Sequence, residues 1–370
     1  MFKSALGIVI SLFVLGMAAP AAHAQGSTGA KSAKKQSVKK AAVAKSQNRK
    51  TNVRRAARPV AVKASLRQAG ARSSTENQRK SGFQRVAFTT PTPVAPPVMT
   101  AGDIAGLHMT RDAVGLASNA ALVVDQTTSQ ILFEKNATVA LPIASLTKLM
   151  TALVVVEARQ NMDEVLEVTS DDVDREKNST SRLRVGAHMT RGDMLHIALM
   201  SSENRAASAL GRNYPGGLAA FVAAMNAKAK ALGMTNTHYA DPTGLSSQNI
   251  ASARDLAKLA IAAHHYPVIR EYSTDPRYAV DTGAGRQLNY MNSNRLVMNP
   301  DWEIGLQKTG YISEAGRCLV MQTRIDGRPV VMVFLDSKGK DSRLADAGRI
   351  RKWLGHARPQ TVAQTAANQS

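Results

Sequence analysis

The chain has 370 residues, 44% of them hydrophobic, and a formal net charge of +21, which is room and apolar content for one large domain or two ordinary ones and excludes a wholly disordered chain. The charge is uneven: residues 25–90 hold 17 lysines and arginines against the single acid Glu76, so the basic character belongs to a tail rather than to the folded part. The one cysteine, Cys318, excludes an internal disulfide framework and a multi-cysteine zinc site and reads as a small buried hydrophobe.

Residues 1–24 read as a secretory signal peptide. Lys3 gives the positive start, residues 5–17 an apolar stretch short for a membrane span, and Ala22-His23-Ala24 an A-x-A cleavage site. Residues 25–100 are rich in Lys, Arg, Ala, Ser and Gln and close on Pro91-Thr92-Pro93-Val94-Ala95-Pro96-Pro97. They are expected to be a disordered basic tail and linker. A solvated tail is the plain reading; the sharper one is an electrostatic tether to an anionic polymer of the cell envelope, with no nucleic acid expected as a partner of an exported chain.

The folded domain is expected over residues 101–355, with a flexible tail at 356–370. Two β-like runs, 120–125 and 130–134, form a hairpin-like pair. A helix opens at Ser145 and carries an apolar run from Leu149 to Ala158 that only Thr151 and Glu157 interrupt, the pattern of a core helix. After a strand-like stretch at 165–168, residues 189–200, 216–232 and 253–264 have helical periodicity with small residues. Strands follow at 305–308, 317–323 and 328–335, the last two joined across Asp326-Gly327, a strong hairpin signal. A final helix over 341–354 spaces Leu344, Ala347, Ile350 and Leu354 along one face, suited to docking on a sheet. Strands first, helices in the middle and strands last imply an α+β fold: one sheet assembled from both ends of the domain, an inserted helical lobe, and a cleft between them.

Three short motifs carry chemistry. In Ala144-Ser145-Leu146-Thr147-Lys148 the serine and lysine are three apart on a helix and share a face, so the amine reaches the hydroxyl. Burial against the apolar helix favours the neutral amine, a base for the serine. The pattern alone proves little, because Ser32-Ala33-Lys34-Lys35 and Ser37-Val38-Lys39-Lys40 in the tail also fit it. Ser202-Glu203-Asn204 between two helical runs is equally weak by itself, matched as it is by Ser46-Gln47-Asn48 and Ser247-Gln248-Asn249. Lys308-Thr309-Gly310 on a strand is rarer, and the three in this order are specific.

In that order the motifs resemble those of the active-site serine penicillin-binding proteins and β-lactamases. More closely, the chain resembles the S11 family of low-molecular-mass D-Ala-D-Ala peptidases, and within it the endopeptidase (penicillin-binding protein 7) type. The resemblance spans about residues 117–354. It is carried by Leu141-Pro142-Ile143-Ala144-Ser145-Leu146-Thr147-Lys148-Leu149-Met150, Met200-Ser201-Ser202-Glu203-Asn204-Arg205-Ala206-Ala207, Asp241-Pro242-Thr243-Gly244-Leu245, and Lys308-Thr309-Gly310-Tyr311 with Glu314-Ala315-Gly316-Arg317-Cys318. It implies a serine DD-peptidase/β-lactamase-like fold, an antiparallel sheet flanked by helices. It also implies an acyl-enzyme on Ser145 with Lys148 as base, and Ser202 and Lys308 relaying a proton to the leaving amine. Asn204, Lys308 and Thr309 would bind substrate, Gly310 would leave it room along the strand, and the backbone N–H groups of Ser145 and Tyr311 would form the oxyanion hole. Glu203 is left as a solvated carboxylate, and the Asp241 turn as structural. The implied partners are peptidoglycan stem peptides and, as covalent inhibitors, β-lactams. No cofactor or metal is expected.

Residues 205–270 contain no glutamate to activate water as in class A β-lactamases, which favours a peptidase that penicillin blocks. About sixteen residues follow the final helix, which fits the endopeptidase build better than that of carboxypeptidases with a second domain and a C-terminal anchor. A D-Ala-D-Ala carboxypeptidase is the nearest alternative, since both reactions use one site. A catalytically silent envelope-binding protein is the alternative from another class, and the intact motifs speak against it. The expected location is the periplasm.

Overall fold

The computed structural model describes residues 99–283 and 285–356. The expected signal peptide, the basic tail up to residue 98 and the C-terminal tail from residue 357 lie outside the described residues. Helix α1 (Ala101–Ile104) precedes β1 (Ser118–Asp125), β2 (Ile131–Lys135) and the short β3 (Leu141–Pro142); a 3₁₀ turn at Ala144–Leu146 then leads into α2 (Thr147–Glu157). Next come β4 (Val165–Glu167), β5 (His188–Thr190), α3 (Arg191–Met200), α4 (Asn204–Arg212), α5 (Gly217–Ala231) and β6 (Ile250–Ala251). After them run α6 (Ala253–His264), α7 (Pro267–Thr274), β7 (Arg277–Asp281), β8 (Gln287–Met291), β9 (Glu303–Ile312), β10 (Gly316–Ile325), β11 (Arg328–Ser337) and α8 (Ser342–His356).

The first two and last three long strands make one antiparallel sheet in the order β2-β1-β11-β10-β9, so both ends of the domain meet in it. Successive side chains alternate between its faces. Leu122, Val124, Cys318, Val320, Val331 and Val333 join the core shared with the helical lobe. Ala121, Val123, Leu319, Met321, Met332 and Phe334 pack with Leu344, Ala347 and Ile350 of α8, the stripe the sequence marks for docking. The β10–β11 turn uses Asp326 and Gly327, both at positive φ (51° and 77°), which matches the twist of a tight hairpin.

Helix α2 is apolar nearly all round because it lies inside the lobe, among α3, α4, α5 and α6; Leu149 to Val155 are all buried. The lobe thus fixes the start of α2 against β9, the edge strand of the sheet. The lobe also differs from expectation. Met189 belongs to β5, and α3 starts only at Arg191, because Thr190 and Asp193 close a reciprocal capping box there. Helix α7 and the β7–β8 hairpin are not foreseen. Only His265 and Tyr266 separate α7 from α6, with Pro267 at its first position, and the hairpin strands are mostly solvent-facing.

Candidate active site

Ser145 sits on the 3₁₀ turn at the entrance to α2, preceded by Ala144 at φ 49°. A non-glycine residue rarely holds that conformation, and such strain gathers at functional sites. Two contacts hold the turn. The Thr147 hydroxyl donates to the Ala144 carbonyl at 2.8 Å, and the backbone of β9 presses on it at Gly310. A Cβ at Gly310 would stand 3.0 Å from the Ile143 carbonyl oxygen and 3.1 Å from the Ser145 nitrogen. The missing side chain at Gly310 thus leaves room for the Ser145 turn. The consequence is that the backbone next to Tyr311 lies against the backbone nitrogen of Ser145.

Lys148 is buried, with its Nζ 3.0 Å from Ser145 Oγ, 2.7 Å from Asn204 Oδ1 and 2.6 Å from the Thr243 carbonyl oxygen. The last two partners are pure acceptors. A neutral amine has two hydrogens and one lone pair, so giving both hydrogens to these oxygens turns the lone pair toward the Ser145 hydroxyl. Burial pushes the Lys148 pKa down to about 7, against the opposing charges of Asp241 and Glu203. The site therefore selects the basic form of the amine near neutrality.

The Thr243 carbonyl is delivered by a turn that Asp241 organises. Its carboxylate accepts from the N–H groups of Thr243 and Gly244 and from the Thr243 hydroxyl at 2.5–2.8 Å. Asn249, fully buried, accepts from the N–H groups of Ala240 and Asp241 and donates to Thr147 Oγ1 and the Asp241 carbonyl. Gly244, at φ 80°, packs so closely that a Cβ would stand 1.9 Å from the Ala144 carbonyl oxygen. The turn is structural, as expected, yet its structure is what aims Lys148.

A second serine–amine pair faces the first. Lys308 on β9 is fully buried, its Nζ 2.9 Å from Ser202 Oγ and 2.7 Å from the Thr309 carbonyl oxygen. Burial holds its pKa well below the usual amine range, helped by the positive charges of Lys148 and Arg343. Ser202 lies between α3 and α4 at φ 67°. Among the described residues no hydrogen bond joins it to Ser145 or Lys148. Glu203 is not simply solvated: it accepts from Ser181 Oγ at 2.7 Å and from the Arg205 N–H, capping α4. Asn204 turns its carbonyl to Lys148 and donates from Nδ2 to Ser179 Oγ at 3.0 Å.

Thr309 Oγ1 donates to Ser293 Oγ at 2.7 Å. Ser293, Ser179 and Arg343 escape the sequence reading, because each is brought in by the fold and none belongs to a short motif; Asn249 figures there only as a chance Ser-x-Asn match. Arg343, in the first turn of α8, is buried with Nε and Nη1 unpaired. It adds positive potential beside Lys308 for an anionic ligand. Ser145 itself stays half-buried and reachable from solvent.

Comparison with known proteins agrees with this arrangement. Residues 107–339 match the family model for peptidase S11, D-alanyl-D-alanine carboxypeptidase. The chain is 50% identical over 254 residues to a D-alanyl-D-alanine endopeptidase of Pseudomonas aeruginosa, covering 68% of this chain and 80% of that protein. It is 46% identical over 240 residues to the D-alanyl-D-alanine endopeptidase of Escherichia coli, covering 65% and 77%. The crystal structure of the Streptomyces K15 DD-transpeptidase is similar at a TM-score of 0.62 and 27% identity, over 68% of this chain and all of that one. On its motifs, its fold and these matches together, the chain belongs to the S11 family of D-alanyl-D-alanine peptidases.

Proposed function

We propose that the protein is a periplasmic serine DD-endopeptidase that hydrolyses D-alanyl cross-links of peptidoglycan and is blocked by penicillin. The observation that carries the chemistry is the buried amine of Lys148, 3.0 Å from Ser145 Oγ and bonded to the Asn204 and Thr243 oxygens, which leaves the lone pair of a neutral amine for the Ser145 hydroxyl. Ser145 Oγ attacks the D-alanyl carbonyl while its proton passes to Lys148 Nζ. The carbonyl oxygen takes the displaced electron pair and lies between the N–H groups of Ser145 and Tyr311, fixed dipoles at the mouth of a helix. As the C–N bond breaks, the proton on Lys148 passes by way of Ser202, held by Lys308, to the leaving amine, and Lys148 is neutral again. Water then attacks the ester, its proton passing to Lys148 and on to Ser145 Oγ as the ester C–O bond breaks.

In this reading Asn204 holds the substrate backbone, while Lys308, Thr309 and Arg343 face the carboxylate beside the scissile bond. The endopeptidase preference rests on the two relatives of that name. Digestion of cross-linked muropeptide dimers tests it: monomers are expected as products. Release of terminal D-alanine with dimers left intact would establish a carboxypeptidase instead.

The basic residues 25–90 are read as a tether to an anionic envelope polymer, supported by the 17 cations they hold against one acid. The full chain is expected to stay on peptidoglycan sacculi at low salt and to leave at high salt. Equal retention of a version starting at Pro91 would refute the tether.

A further inference from the structure

The end of the β9–β10 pair, where β10 packs against α8, carries a further positive group that the steps above do not use. Arg317 on β10 is the register partner of Tyr311 on β9. Its guanidinium lies over the Tyr311 ring, 4.6 Å from the centroid, a cation–π contact that holds both flat. Tyr311 is nonetheless 55% exposed, a large aromatic surface at the cleft edge one residue from the wall behind Ser145. Arg343 is close enough that Arg317 depresses its pKa, after burial. The acids nearby are already committed: Asp341 to Arg295, Glu314 to Lys177 and Asp103 to Lys338. Asp336 is buried and bonded to Thr100 and Asn119. Among the described residues, neither Arg317 nor Arg343 belongs to an ion pair.

An unpaired, half-exposed guanidinium on an aromatic platform matches a carboxylate, which it grips with two parallel N–H bonds. The substrates of the two DD-peptidase reactions differ only on the leaving side. Each has one carboxylate beside the scissile bond, but a cross-link leaves with a whole second stem peptide and that peptide's further carboxylates. Lys308 and Arg343 face the first carboxylate, and Arg317, paired with Tyr311, lies three register pairs beyond Lys308 toward the end of β9. We infer that Arg317, braced by Tyr311, is a specificity-determining residue that binds a carboxylate of the leaving stem peptide and so favours cross-linked dimers over peptides that lose a single D-alanine.

This inference rests on the endopeptidase reading, and the test separates the two. Dimer cleavage is measured as kcat/KM, relative to the rate of acylation by a fluorescent penicillin, for wild type, Arg317→Gln and Arg317→Lys. Arg317→Gln is expected to lower that ratio about tenfold, through KM rather than kcat, with Arg317→Lys recovering part of the loss. A fall of dimer cleavage and acylation in equal measure, or no fall in the ratio, overturns the role of Arg317 and leaves the endopeptidase reading standing. Wild type that acylates but leaves dimers intact overturns both.

Discussion

Ser145→Ala is expected to take no covalent label from a fluorescent penicillin and to lose cross-link hydrolysis by about 10⁴- to 10⁶-fold, the usual cost of removing a covalent nucleophile. The experiment matters because the cleft holds two serine–amine pairs, Ser145 with Lys148 and Ser202 with Lys308, at 3.0 Å and 2.9 Å. Geometry separates them. Ser145 stands at the mouth of α2, where backbone N–H groups and the helix dipole favour the charge that develops on an attacked carbonyl, whereas the start of α4 beside Ser202 is already capped by the Glu203 carboxylate. Lys148 has a lone pair to offer its serine. Lys308 is tied to one carbonyl, and its field is set by Lys148 and Arg343. Ser202→Ala should therefore keep the label and lose only about 10²- to 10⁴-fold in rate, as expected for a proton-transfer group. Full labelling of Ser145→Ala, with loss in Ser202→Ala, would reverse the assignment. The alanine variant should melt close to wild type, because Ser145 contributes one hydrogen bond at a half-exposed position.

Much of this site is legible in the sequence because its chief contact is local. Three-residue spacing on a helix puts Ser145 and Lys148 on one face whatever the rest of the chain does, and the apolar run after them announces the burial that lowers the amine pKa. The strands of the sheet read equally well, since both of its faces are covered and the strands are nearly continuous apolar runs. What cannot be read is what arrives through the backbone. The Thr243 carbonyl takes a hydrogen of Lys148, yet any residue has a carbonyl; only Asp241 and Gly244 hint that a turn is being shaped there. Asn249 is the sharpest case. Its motif looks like an accidental match to Ser-x-Asn, and it is one as chemistry, but the side chain joins the Asp241 turn to Thr147 of α2. Gly310 is legible only in part: its place beside the cleft suggests room for a ligand, and the packing of β9 adds the Ser145 turn as a neighbour that also needs a glycine there.

Lys148→Met should likewise abolish labelling, and in wild type the acylation rate should climb with pH through about 7. The sign follows from the two protonation states. The neutral amine is the base, burial stabilises it, and Asp241 and Glu203 partly oppose that by favouring the ammonium form. With the pKa near 7, the reactive fraction rises from about one tenth at pH 6 to about nine tenths at pH 8, a gain of about ninefold that then levels off. Lys308 is also held low, so the limb could belong to either amine, and Glu203 decides between them. Its charge acts on Lys148 and does not figure among the influences on Lys308. Glu203→Gln keeps an acceptor for Ser181 and for the α4 cap but removes the charge that raises the Lys148 pKa, so the limb should move to lower pH. A limb that stays in place would assign it to Lys308. A rate flat from pH 5 to 9 would remove Lys148 as the titrating base, and with it the reason this serine rather than the other is the nucleophile.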